Sequence, residues 1–227
     1  MSDDPSASKA ARIYARLKAG AEVDDGTAPW ERATEFEVAF TFRVKQSSWL
    51  VQPKGGGAPL LRGVRPGGPE SVRAYLVDAG PALDQRVGAV GLTSAADAEG
   101  TRIGTVSQMP GAMLQDDVWT VRQADMGAFS AKPVGLASRA RHTPLTWGIT
   151  ENVADLVSRH RLRFSNGESK GFEVGRRAGP RSQYDVKVLD SRVNRLLVLA
   201  TVVHFDSVYG DANVSKLVPS ITGLFRR

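Results

Sequence analysis

Cysteine is absent from all 227 residues. That single absence excludes disulfide staples, thiolate metal sites and a cysteine nucleophile. Histidine is nearly absent too. His142, His160 and His204 stand far apart, and none has the spacing to a second ligand that a metal helix such as HExxH requires. Aromatic residues make up only 7% of the chain. No apolar run reaches the roughly 20 residues of a membrane-spanning helix. The amino-terminus, MSDDPSASKAARIYARLKAG, lacks the apolar segment of a secretory leader, so a cytoplasmic protein is the expectation. There is no GxSxG nucleophile elbow, no dinucleotide fingerprint and no phosphate-binding loop of the GxxxxGK[ST] type. The sequence therefore names no catalytic residue, no metal and no cofactor.

What the chain has in quantity is turn-forming residues, 23 Gly and 12 Pro. Between them lie short alternating runs. EFEVAFTFRV, SSWLVQP, PLLRGV, SVRAYLVDAG, RVGAVGL, TRIGTVSQ, DVWTVRQADMG, KPVGLASRAR, RLRFSNG, GFEVGRRAG and YDVKVLD follow one another from Glu35 on. KGGGAP and RPGGPE read as loops. Many short strands with frequent turn signals predict an all-β sandwich or barrel. Two helices are expected outside the strands. One covers residues 6–19, with Ile13 and Leu17 on one face and Lys9, Arg12, Arg16 and Lys18 on the other. A shorter one falls in the connection TENVADLVSRH, and EVDDGTAPWER reads as a linker.

The most apolar stretch is VNRLLVLATVVHFD, residues 193–206. Leu196, Leu197, Leu199 and Ala200 favour a helix, and its length exceeds an ordinary strand. A helix apolar on all sides must be buried on all sides. At ~1.5 Å per residue it would match the axis of a small barrel. Its charges run the wrong way, however. Arg192 and Arg195 stand at the positive end of the helix dipole and Asp206 at the negative end. His204, at the edge of this run, is expected to be a core-edge residue holding a hydrogen bond.

The order of these pieces resembles the tubby C-terminal-like group, which includes the phospholipid scramblases and the LURP-one-related proteins. RIGTVSQ resembles that group's Ile-Gly strand. DDVWTVRQADMG is similar to its aromatic strand and Asp-x-Gly turn, and GFEVGRRAGPRSQYDVKVLDSRVNRLLVLATVVHFD to its closing segment. The resemblance covers residues 36–209. It implies a closed antiparallel β-barrel of about twelve strands around a carboxy-terminal hydrophobic helix. A short amino-terminal helix and linker (1–34) would precede the barrel domain (35–209), and a tail (210–227) would follow it. No acidic calcium loop of the scramblase kind is present, and 18 residues follow the helix.

The formal net charge is +6, and residues 138–195 hold 12 Lys/Arg against 6 Asp/Glu, so the remainder is balanced. Arg159, Arg161 and Arg163 alternate along one predicted strand, and Arg176, Arg177 and Arg181 occupy the next hairpin. If these guanidinium groups share a face they form an anion-binding site, since arginine grips phosphate with a two-donor fork. In the tubby group a basic barrel surface binds phosphoinositide headgroups, so the resemblance points to the same ligand class. The expected function is a non-enzymatic binding module for anionic lipid headgroups or other phosphate-bearing ligands, peripheral to a membrane. The alternative is an assembly component that docks a protein partner or a second copy through its amino-terminal helix and carboxy-terminal tail. Nucleic acid is disfavoured, because only Phe164 and Phe172 lie near these arginines.

Overall fold

A computed structural model describes residues 28–110, 117–134, 161–178 and 181–209. The helices expected at 6–19 and 150–160 and the tail 210–227 lie outside these residues, as do Arg159, His142 and His160.

Twelve strands, β1 (Glu35–Phe42), β2 (Gln46–Pro53), β3 (Leu61–Pro66), β4 (Tyr75–Ala79), β5 (Gln85–Val90), β6 (Ser94–Asp97), β7 (Arg102–Met109), β8 (Val118–Gln123), β9 (Gly127–Pro133), β10 (Arg161–Ser165), β11 (Phe172–Arg176) and β12 (Gln183–Val188), pair antiparallel in chain order. β12 returns to β1, with Phe36 opposite Val186 and Val38 opposite Tyr184, so the barrel closes and no edge is left unpaired. Alternation decides the inner face. Phe36 and Val38, Trp49 and Val51, Trp119 and Val121, and Leu162 and Phe164 are buried, while the residues between them are more exposed.

Two strands were not legible as such. β6, SAAD, has no β-branched or aromatic residue. It is held by its neighbours, with Ala95 opposite both Val90 of β5 and Gly104 of β7. β9 begins at Gly127, five residues before the run KPVGLASRAR expected to form it. Pro29–Arg32, expected in a linker, forms one helical turn, α1, whose Trp30 is buried in the core.

The helix α2 runs from Arg195 to Tyr209, and every residue from Leu196 to Val203 is buried. Eight consecutive buried residues exceed two turns, so no face of this segment meets water. The glycines of the Val-Gly and Ile-Gly strands explain how closely it packs. A Cβ on Gly88 of β5 would lie 2.7 Å from Leu196 Cδ1, and one on Gly104 of β7 would lie 2.8 Å from Leu197 Cδ2. Further along, Phe205 packs against Trp119 of β8 and Tyr184 of β12, with ring centroids 5.6 and 5.9 Å apart.

Side chains resolve the adverse charges at the helix ends. Arg192 precedes the helix and pairs with Asp190. Arg195, although buried, donates to the carbonyls of Ala33, Ser191 and Val193. The desolvation lowers its guanidinium pKa from the ordinary value. Asn194 accepts the Leu196 N–H, and Gln123 Oε1 accepts the Asn194 N–H, so the first turn is capped. At the other end the Tyr184 hydroxyl donates to Asp206 at 2.8 Å.

Candidate functional site: the basic end of the barrel

Because the strands follow one another antiparallel, every odd-numbered strand runs toward one end of the barrel and every even-numbered strand away from it. β12 runs away from that end, so α2 starts at the opposite end and brings its carboxy-terminus back. Asp206 and Ser207 accordingly line a cavity of about 210 Å³ with Arg65 at the end of β3, Tyr75 at the start of β4, Phe40, and Leu92 of the β5–β6 turn.

The two ends differ in charge. In the described connections at the end where α2 finishes, five cations (Arg43, Lys45, Arg73, Arg177 and Arg181) face two acids, Glu70 and Asp117. In the strand-to-strand and β12–α2 connections at the opposite end, three cations (Lys54, Lys170 and Arg192) face five acids, Asp84, Glu99, Asp125, Glu168 and Asp190. Hairpins alternate between the two ends, so residues far apart in sequence are sorted by sign.

The side chains of Arg43, Lys45 and Arg73 have no ion pair or hydrogen bond among the described residues. They stand on adjacent loops, for the Gly67 N–H donates to the Lys45 carbonyl at 2.9 Å. The same end carries four of the five exposed large apolar side chains among the described residues, the fifth being Leu76 of β4. Val44 is 91% exposed, Val72 83%, Met109 63% and Val118 52%, and each lies in or beside a connection at this end.

The arginines singled out from the sequence are divided by the fold. Arg161 and Arg163 do project outward from β10, near the basic end, and Lys132 of β9 lies directly opposite Arg163. Both arginines reach one carboxylate, Glu173 of β11, Arg161 at 3.3 Å and Arg163 through two donors. Arg177 bridges Asp185 of β12 and Glu37 of β1, and these two partners hold its pKa above the ordinary value. Arg181 is exposed in the β11–β12 connection. Arg176 does not share their face. It turns inward with Phe172 and Val174, is 7% exposed, and interacts with the Tyr184 hydroxyl. The physical reason is parity: Arg176 and Arg177 are neighbours on or beside one strand, so their side chains take opposite faces. Burial, then the Asp206 charge, raises the Tyr184 pKa.

The interior below the basic end is polar as well. Arg65 is 4% exposed, its guanidinium 4.4 Å from the Tyr75 ring centroid, and it donates to the Pro69 carbonyl at 3.1 Å. Its Nε has no hydrogen-bond partner. Burial pushes Tyr75 up to about 12. Nothing in the local pattern marks this cluster, because Arg65 and Tyr75 each sit in ordinary alternating strands. His204 Nδ1 lies 2.7 Å from the Leu92 carbonyl and its ring meets Trp119 edge-on, the expected core-edge role. Since a carbonyl only accepts, Nδ1 carries the proton.

No group of three or more His, Cys, Asp or Glu side chains able to hold a metal occurs among the described residues, and none of their helices is long and apolar enough to cross a membrane. Compared with protein-family models, curated proteins and solved structures, the chain gives no match in any of the three.

Proposed function

We propose that this protein is a non-enzymatic binding module that recognises anionic, phosphate-bearing ligands, lipid headgroups foremost, through the basic end of its barrel. One observation carries the reading: among the described residues, the connections at that end hold five cations, one of them (Arg177) ion-paired, against two acids, and the opposite connections reverse the balance. A field of this form turns the basic end toward an anionic partner and speeds its encounter. Arg161 and Arg163, both on Glu173, and Lys132, opposite Arg163, extend the basic surface down the outer wall. We further infer that α2 is the filling of the barrel, a reading supported by burial on every face. Strand number and this late helix also support kinship with the tubby C-terminal-like group.

The test is flotation with phosphatidylcholine vesicles, with and without phosphatidylserine, beside competition by soluble inositol phosphates. Each cation near an anionic surface contributes about 1 kcal/mol, so the combined Arg43→Glu, Lys45→Glu and Arg73→Glu variant should bind roughly a hundredfold more weakly. Reversal of Lys54 and Lys170, at the opposite end, should leave binding unchanged. Arg176 and Arg177 are unsuited to the test, since one is buried and the other bridges three strands. Absence of binding to every anionic vesicle and soluble phosphate ester would sink the reading.

A further inference from the structure

Val44 has no reason within the barrel to be apolar, and Val72, on the rim of the cavity beside Arg65 and Tyr75, remains far more exposed than that contact requires. Val44 occupies the three-residue β1–β2 connection, 91% exposed, where a polar residue would serve the turn equally well. Val72, 83% exposed, occupies the adjoining β3–β4 connection. The two loops touch: a Cβ on Gly68 would lie 3.5 Å from the Val44 carbonyl oxygen. Arg43 and Lys45 flank the first valine and Arg73 follows the second, and these three cations have no side-chain partner among the described residues. Met109 and Val118, opposite each other across the β7–β8 pair, add exposed apolar surface at the same end.

We infer that this end of the barrel docks end-on against an anionic bilayer, with Val44 and Val72 entering the boundary between headgroups and acyl chains. The inference rests on the anionic-ligand reading above and adds to it the occupant and the contact. Apolar tips bracketed by cations fit an interface that is greasy a few ångströms below a layer of negative charge. A soluble phosphate ester would engage the cations and leave the valines in water. Charge complementarity and apolar exposure therefore select the same surface for the same partner. The opposite end, with its excess of acids, is repelled by the bilayer and fixes the orientation.

The absence of cysteine makes the test direct. Val44→Cys, Val72→Cys and Ala98→Cys, the last in the exposed β6–β7 connection at the opposite end, each provide a unique thiol for a polarity-sensitive dye on the full chain. With phosphatidylserine-containing vesicles, dyes at 44 and 72 should shift to the blue and be quenched by nitroxide-labelled acyl chains, while the dye at 98 should do neither. The double variant Val44→Asn with Val72→Asn should weaken partitioning about tenfold or more, from the lost apolar transfer, without changing the affinity for soluble inositol phosphates. Flotation with silent dyes at 44 and 72 would overturn insertion and leave the anionic-ligand reading standing. Absence of flotation together with absence of phosphate-ester binding would overturn both. A blue shift without vesicles that grows with protein concentration would assign the valines to a second copy of the chain and overturn the bilayer.

Discussion

Gly104 has no room for a methyl group. A Cβ there would lie 2.2 Å from the Arg122 carbonyl oxygen and 2.8 Å from Leu197 Cδ2, so backbone on one side and α2 on the other would have to shift. Gly104→Ala should destabilise the fold by about 1–3 kcal/mol through overpacking, measured as a lower urea midpoint at unchanged slope. A midpoint equal to that of the wild type would mean that α2 sits farther from β7 than described. The Ile-Gly pair in RIGTVSQ thus has a physical cause. The half-buried isoleucine packs against the core, and the glycine lets the helix approach. From the sequence the pair was visible only as part of a resemblance, because its partner, Leu197, lies 93 positions further on.

At the scale of elements, the outer wall is stitched by charges paired across strands. Glu35 of β1 meets Lys187 of β12 at 2.8 Å and Lys54, just past β2, at 2.9 Å. Three strands from β1, Asp78 of β4 takes Arg86 of β5 and Arg62 of β3. Exposed pairs of this kind are individually weak, and their value lies in fixing register. Hydrogen bonds from Lys187 and Lys54 hold the Glu35 carboxyl down to about 2 from its ordinary 4.5. Arg192 likewise lowers Asp190. A carboxylate with a depressed native pKa stabilises the fold above its unfolded value and loses that contribution as pH falls through the native one. Stability at low salt should therefore decline between about pH 4.5 and about pH 2, and Glu35→Gln should flatten part of that slope. An unchanged slope in Glu35→Gln would show that the Lys187 and Lys54 pairs form no more in the folded state than in the unfolded one.

For the whole molecule, what matters is which end a residue reaches. Association with anionic vesicles through the end-facing cations Arg43, Lys45, Arg73 and Arg181 should fall steeply as ionic strength rises, because exposed charges are screened over about 10 Å at 0.1 M salt. Inserted valines add a salt-independent remainder. Titrating the wild type and the Val44→Asn/Val72→Asn variant from low to near-physiological salt should separate the two: the wild type retains weak binding where the variant retains none. Parallel curves for the two proteins would place the apolar tips outside the contact.

The all-β class, most strand positions and the late buried helix followed from local pattern, since alternation, turn residues and an apolar run longer than a strand are properties of neighbouring residues. The closure of β12 on β1 and the burial of Trp30 were decided by partners distant in sequence, and the weak strand β6 and the start of β9 by the strands beside them rather than by their own residues. The basic surface divided the same way. A window of excess arginine was visible between 138 and 195, yet strand parity turned Arg176 inward and ion pairs occupied Arg161, Arg163 and Arg177. Arg43, Val44, Lys45, Val72 and Arg73 lie outside that window and carry no motif. Only an up-and-down barrel, which sends alternate hairpins to opposite ends, brings them together beside the end of α2.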